Sequence, residues 1–181
     1  IALVSARLRS AKTFDEMLTR LLDQTLALIE AQAGSIWLYD PINEVVELRI
    51  QRGGQDERFS PSYKVGEGIP GKVVQSGKLI VADEFAPIEQ VNDEGFRPGL
   101  AGGGACVPLH AEENIVGAML INVRGQRKLT TGKIRILNAL AEIGGNSIHR
   151  MRLHEQTVQQ LNRLAALRSI DLAISNMLDL Q

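Results

Sequence analysis

A single cysteine, Cys106, and few aromatics (four Phe, two Tyr, one Trp) in 181 residues set the first limits on this chain. One cysteine makes an internal disulfide impossible and removes every cysteine-rich zinc site. Its surroundings, GACVPLH, read as a strand, which favours a buried packing thiol over a reactive one. A reducing cytoplasm is the expected setting. So small an aromatic count does not supply a platform for stacking single-stranded bases, and a net charge of −1 offers no field for nucleic acid or an anionic membrane surface. No apolar run approaches the roughly 20 residues that a membrane span needs. The chain opens IALVSARLRS, without Met and too charged for a signal-peptide core, so a segment of a longer protein is expected.

What is present is ordinary for a globular protein: 44% hydrophobic and 23% charged residues, in a length that buries one core with some chain to spare. Thr13-Phe14-Asp15-Glu16 forms a capping box, followed by Met17, Leu18, Leu21, Leu22, Thr25, Leu28 and Ile29 at helical spacing, with Gly34 as the stop. SIWLYD (residues 35–40) reads as a strand, Pro41-Ile42-Asn43 as a turn, and residues 45–51 as a second strand ended by Gly53-Gly54. Residues 55–63 read as irregular, 79–81 as a short strand, and EFAPIEQVNDEGFRPGLAGGG as loop with at most one short helix. Cys106–Leu109 and Ile115–Val123 make a hairpin around HAEEN, after which Thr130 caps a long helix.

One stretch imitates a nucleotide site. Gly66-x-x-x-x-Gly71-Lys72 is nearly a phosphate-cradling loop, and Gly66-x-Gly68-x-x-Gly71 fits the dinucleotide fingerprint. Pro70 removes an amide the cradle needs, and Val73 has no hydroxyl for magnesium. Only Lys72 to Lys78 separate Gly71 from the next strand, too few residues for the helical crossover of a parallel pair. The glycines are expected to make a tight turn, with residues 69–75 a short helix ended by Gly77.

The same stretch, GEGIPGKVVQSGKLIVADE, resembles the G-x-G-I-x-G-x-V-x-x-x-G-x-x-x-x-x-D pattern of GAF domains, sensory modules of signalling proteins. AGSIWLYD looks like that family's first strand, GGGACVPLHAEENIVGAMLINV its late hairpin, and LTTGKIRILNALAEIGGNSIHRMRL its closing helix. The resemblance covers residues 13–155. It implies an α+β fold, GAF/PAS-like, with a central antiparallel sheet, helices on one face and a long C-terminal helix. A ligand pocket would lie on the other face, under a lid built by residues 52–100. Three ligand classes of the family fit poorly. The cyclic-nucleotide signature is replaced by Val123-Arg124 and Gly132-Lys133-Ile134; the lid has no cysteine to tether a bilin; and one cysteine cannot serve a methionine-sulfoxide reductase as both nucleophile and resolving thiol. No lid histidine stands out for haem. The ligand, and any cofactor, is therefore unknown, and neither a catalytic residue nor a metal ligand is assigned.

Alternation puts Ser35, Trp37 and Tyr39 on one face, which the resemblance makes the pocket side. With Arg52, Ile69 and Pro70 they form the expected ligand-binding set, although each also has a packing or solvation reading. His110, His149 and His154 lack partner acids at ligand spacing, and the pairs Glu112-Glu113 and Asp83-Glu84 read as solvated turn charge.

From Asn146 to Gln181 there is neither Gly nor Pro, and Leu137, Leu140, Ala141, Ile148, Met151, Val158, Leu161, Leu164, Ala165, Ile170 and Ile174 trace a drifting apolar stripe. One small sheet cannot cover it all, so the helix beyond about Arg152 is expected to pair with a second copy as a coiled-coil linker. Gly144-Gly145 costs this helix about 2 kcal/mol of propensity, which close approach of helix to sheet would explain. Shifting the chain by 166 residues lays Val4, Leu8, Ala11 and Phe14 on Ile170, Ile174, Met177 and Leu180, as if a second domain of the same kind began there. Two domains are therefore expected, a sensory domain over 1–155 and, over 156–181, a linker helix with a possible second start. The expected function is a small-molecule-sensing or regulatory domain of a multidomain signal-transduction protein, without catalysis, cytoplasmic, homodimeric and covalently linked to an output domain. The rival is the same fold with a filled pocket, serving as a dimerisation spacer.

Overall fold

A computed structural model describes residues 2–53, 60–82, 103–123 and 129–178. The elements in chain order are α1 (Ala2–Arg9), α2 (Phe14–Ile29), β1 (Ala33–Asp40), β2 (Val45–Arg52), β3 (Ser62–Lys64), α3 (Gly68–Ser76), β4 (Ile80–Ala82), β5 (Gly104–Ala111), β6 (Asn114–Asn122) and α4 (Thr131–Leu178). The chain divides into two compact units, Ile1–Ile148 and His149–Gln181, and the described part of the second is helical to Leu178. No helix among the described residues is long and apolar enough to cross a membrane.

Six strands form one antiparallel sheet in the order β3-β2-β1-β6-β5-β4. The expected α+β architecture is the observed one: α2 and α4 pack together on one side, and α3 lies over the opposite face. The α2 stripe of Met17, Leu18, Leu21, Leu22, Thr25 and Ile29 is buried. Its N-terminus is capped by Thr13 Oγ1, which accepts from the Glu16 amide at 3.2 Å. Glu16 in turn reaches back to the Lys12 amide at 2.7 Å, one residue beyond the expected box. Gly34 does not end the helix. Glu30 does, in a left-handed conformation at φ 60°. Gly34 lies inside β1, where an added Cβ would come 2.9 Å from the Leu120 carbonyl oxygen and 3.1 Å from Leu22 Cδ1. Its smallness lets the sheet seat against α2.

The glycine-rich stretch is a turn, as expected. Gly66 and Gly68 hold φ 91° and 57°, a region that favours glycine. The Gly66 amide donates to the Gly71 carbonyl at 3.0 Å, and a Cβ on Gly71 would overlap the Lys64 carbonyl oxygen. β3 and β4 sit at opposite edges of the sheet, so the chain crosses the whole face through α3. That is not the strand–helix–strand unit of a nucleotide fold. The strand β3 itself falls in a stretch expected to be irregular. Residues 54–59 and 83–102, which include about half of the expected lid, lie outside the described residues.

Gly144 and Gly145 explain themselves in the packing of the first unit. An added Cβ at Gly144 would come 2.5 Å from Leu21 Cδ2 of α2, and one at Gly145 would overlap the His110 backbone of β5. The helix gives up propensity so that its backbone can touch both neighbours.

Candidate functional site

Ser35 and Trp37 point from β1 toward α3, and both are buried. The Trp37 Nε1–H donates to Ser35 Oγ at 2.8 Å, so the polar atom of the indole is satisfied within the protein. The indole lies 5.2 Å from the Tyr63 ring, tilted by 45°. Buried Val46, Val73, Val74, Cys106, Ala118 and Leu120 surround it, and half-buried Tyr39 and Ile69 pack against that cluster. Pro70 is buried in the first turn of α3. The structure thus brings Ser35, Trp37 and Tyr39 to one face of the sheet, beneath the helix that carries Ile69 and Pro70. Trp37 is the floor of this face, with 0% of its surface exposed.

Arg52 is not with them. Its Nε donates to Asp23 Oδ1 of α2 at 2.9 Å, on the opposite side of the sheet. The cause is a β-bulge. Tyr39, Leu38 and Trp37 pair with Val46, Glu47 and Leu48; regular steps from there would set Arg52 opposite Ala33, on the Ser35 face. Instead Ile36 pairs with Ile50, which leaves Arg49 as the extra residue and sets Arg52 opposite Gly34. Arg49 faces α2 as well, with its Nε 3.4 Å from Asp15 Oδ1. The bulge turns the Arg52 guanidinium away from the expected pocket, and with Arg49 it ties β2 to α2.

Cys106 is buried in the Trp37 cluster, and loss of solvent pushes its thiol pKa well up. A protonated, enclosed thiol is a packing group rather than a nucleophile. Among the described residues, no three His, Cys, Asp or Glu side chains are grouped to hold a metal. A residue missed at the sequence level is Asn122, at the end of β6, whose Oδ1 is buried without a hydrogen-bond partner among the described residues. A separate surface cleft of about 580 Å³ lies along β5 and α4, lined by Leu79, Pro108, His110, Asn138, Glu142 and Asn146 among others; none of the six expected residues reaches it.

Comparison with known proteins agrees with this architecture. The family model of the GAF domain matches residues 11–149. A curated relative, nitrogen fixation protein AnfA of Azotobacter vinelandii, is 31% identical over 98 residues, which cover 50% of this chain and 18% of the relative's length. The chain therefore spans less than a fifth of the relative it matches. Among solved structures, the GAF domain of an Acinetobacter phosphoenolpyruvate-protein phosphotransferase superposes with a TM-score of 0.72 at 15% identity, covering 84% of this chain and 92% of that one. The free methionine-R-sulfoxide reductase of Neisseria meningitidis does so at 0.67 and 14% identity, covering 84% and 88%. At such identities the structural likeness is one of fold. With the family match spanning most of its length, the antiparallel sheet and the glycine turn leading into α3, this chain belongs to the GAF domain family.

Proposed function

We propose that this GAF domain is a regulatory, small-molecule-sensing module of a multidomain signalling protein, and that its state passes to an output domain through paired terminal helices. The observation that carries this reading is the contact of α4 with the sheet at Gly144-Gly145. The helix backbone rests on the β5 backbone and on Leu21 with no side chain between, so a shift of β5 is passed to α4 directly. β5 also reaches the other face, where Cys106 packs in the Trp37 cluster. A ligand on the α3 side, bordered by Ser35, Tyr39, Ile69 and Pro70 over the Trp37 floor, would act on the strand that α4 touches. Arg52 has no part in this site, since Asp23 holds it on the other side.

The domain works without catalysis. Its one thiol is enclosed, whereas a reductase of this fold needs accessible sulfur chemistry. The output domain lies elsewhere in the parent protein, in keeping with the small share of the curated relative that this chain spans. The cytoplasm remains the proposed compartment. The tandem reading is kept as well, with 1–155 as sensory domain and 156–181 as linker and start of a second.

Self-association follows from the second unit, where Leu153, Leu161, Leu164 and Leu167 are 49–63% exposed. At about 100° per residue these four share one side of the helix, and a second copy would cover them. In sedimentation velocity at tens of micromolar, the chain should run as a dimer and the Leu161→Glu/Leu164→Glu variant as a folded monomer. Monomers in both cases would refute the relay through paired helices. The spacer reading has its own support in the burial of Trp37 and the inward use of its Nε1–H.

A further inference from the structure

Asn122 and Ser35 stand on the same face of the sheet. Ser35 pairs with Leu120 and Ala33 with Asn122, so Asn122 is the diagonal neighbour of Ser35, at roughly 7–8 Å for such pairs. On its other side Asn122 pairs with Gly104, which has no side chain to cover the amide. Asn122 Oδ1 is buried and, among the described residues, accepts no hydrogen bond. Ser35 is 4% exposed, and its hydroxyl accepts from Trp37 Nε1 at 2.8 Å; among the described residues nothing accepts the hydroxyl proton in return. An unused acceptor and an unused donor thus lie one diagonal step apart, in an otherwise apolar wall of Trp37, Cys106 and Leu120. Buried polar groups left unpaired are rare in folded proteins, and a pair of opposite sense has a natural complement.

We propose that Ser35 and Asn122 form the polar end of the ligand site and select a neutral molecule bearing an N–H beside a carbonyl, as in a primary carboxamide or a lactam-type heterocycle. The inference rests on the sensing reading above and gives that site its ligand class. The ligand N–H donates to Asn122 Oδ1, and its carbonyl accepts the Ser35 hydroxyl proton. Neutrality follows from the charges. Among the described residues, the guanidinium groups of Arg49 and Arg52, the cations nearest in the register, are held on the far side of the sheet by Asp15 and Asp23. A carboxylate would bring a charge that neither Arg49 nor Arg52 can meet and leave Asn122 Oδ1 facing an acceptor.

The test uses benzamide and uracil as probes and benzoate as control, titrated into the 181-residue chain with the side-chain amide of Asn122 and the indole N–H of Trp37 followed by NMR. Saturable shifts of both signals by either neutral probe, and none by benzoate, are expected. Asn122→Ala and Asn122→Leu should weaken the probe at least about tenfold. Neither should lower the melting temperature, because Oδ1 bonds to none of the described residues; a merely structural asparagine would behave in the opposite way. No response to either neutral probe would overturn the proposal and leave a bound water as the partner. A small molecule co-purifying equally with wild type and Asn122→Ala would keep the sensing reading and reject this pairing.

Discussion

Gly145 shows how much of this domain turns on single atoms. It costs α4 helix propensity, yet a methyl group there would overlap the His110 backbone. Gly145→Ala should therefore destabilise the chain by about 1–3 kcal/mol, as overpacking does, despite alanine's better propensity. Gly132 is the control. It sits in the first turn of the same helix, where a Cβ would meet only Thr130 Oγ1 at 3.9 Å, so Gly132→Ala should stabilise by up to about 1 kcal/mol. Chemical denaturation of the two variants reads both signs, and a stable Gly145→Ala protein would undo the close-contact account of α4. Arg52 carries the opposite lesson. Its type and place at a strand end were legible, but the bulge at Arg49 was not, and one extra residue reverses every side chain that follows.

Elements with strong periodicity and capping were readable from the amino acids, and those fixed by contacts were not. The stripe and Thr13 cap of α2, the glycine turn into α3, the hairpin of β5 and β6 and the long α4 all follow patterns that side-chain chemistry enforces. The end of α2 escaped because Glu30 adopts a left-handed conformation with no glycine to announce it. β3 escaped because it is three residues long at the sheet edge, with Ser62 and Lys64 exposed. Within the site, alternation was enough to group Ser35, Trp37 and Tyr39. No periodicity distinguishes Asn122, whose interest lies in a hydrogen bond it does not make. The α2 cap adds a pH dependence. The hydrogen bond from the Lys12 amide holds the Glu16 carboxyl below its usual 4.5; desolvation, the next influence, opposes it, and the charge of Arg20 adds to the lowering. A lowered folded pKa means that the cap's contribution is whole above pH 4.5 and is lost as pH falls through the lowered value. Glu16→Gln should remove that part of the acid limb, seen as a flatter stability curve as pH falls below 4.5; an unchanged curve would show that the cap carries no such linkage.

For the whole molecule, the open contest is between a sensor and a spacer, and both use the same sheet, the same α4 and the same exposed leucines. They differ in what lies over the α3 face. The sensing account requires a molecule that the protein acquires in the cell and that pairs with the buried polar end of the site. The spacer account requires nothing there but the protein's own side chains. Native mass spectrometry of the chain purified from cells, sprayed from ammonium acetate without prior denaturation, separates them. The account predicts a neutral small-molecule mass above that of the polypeptide, retained once per chain and lost on acid denaturation. The bare polypeptide mass under gentle conditions, in protein shown to be folded, would contradict it.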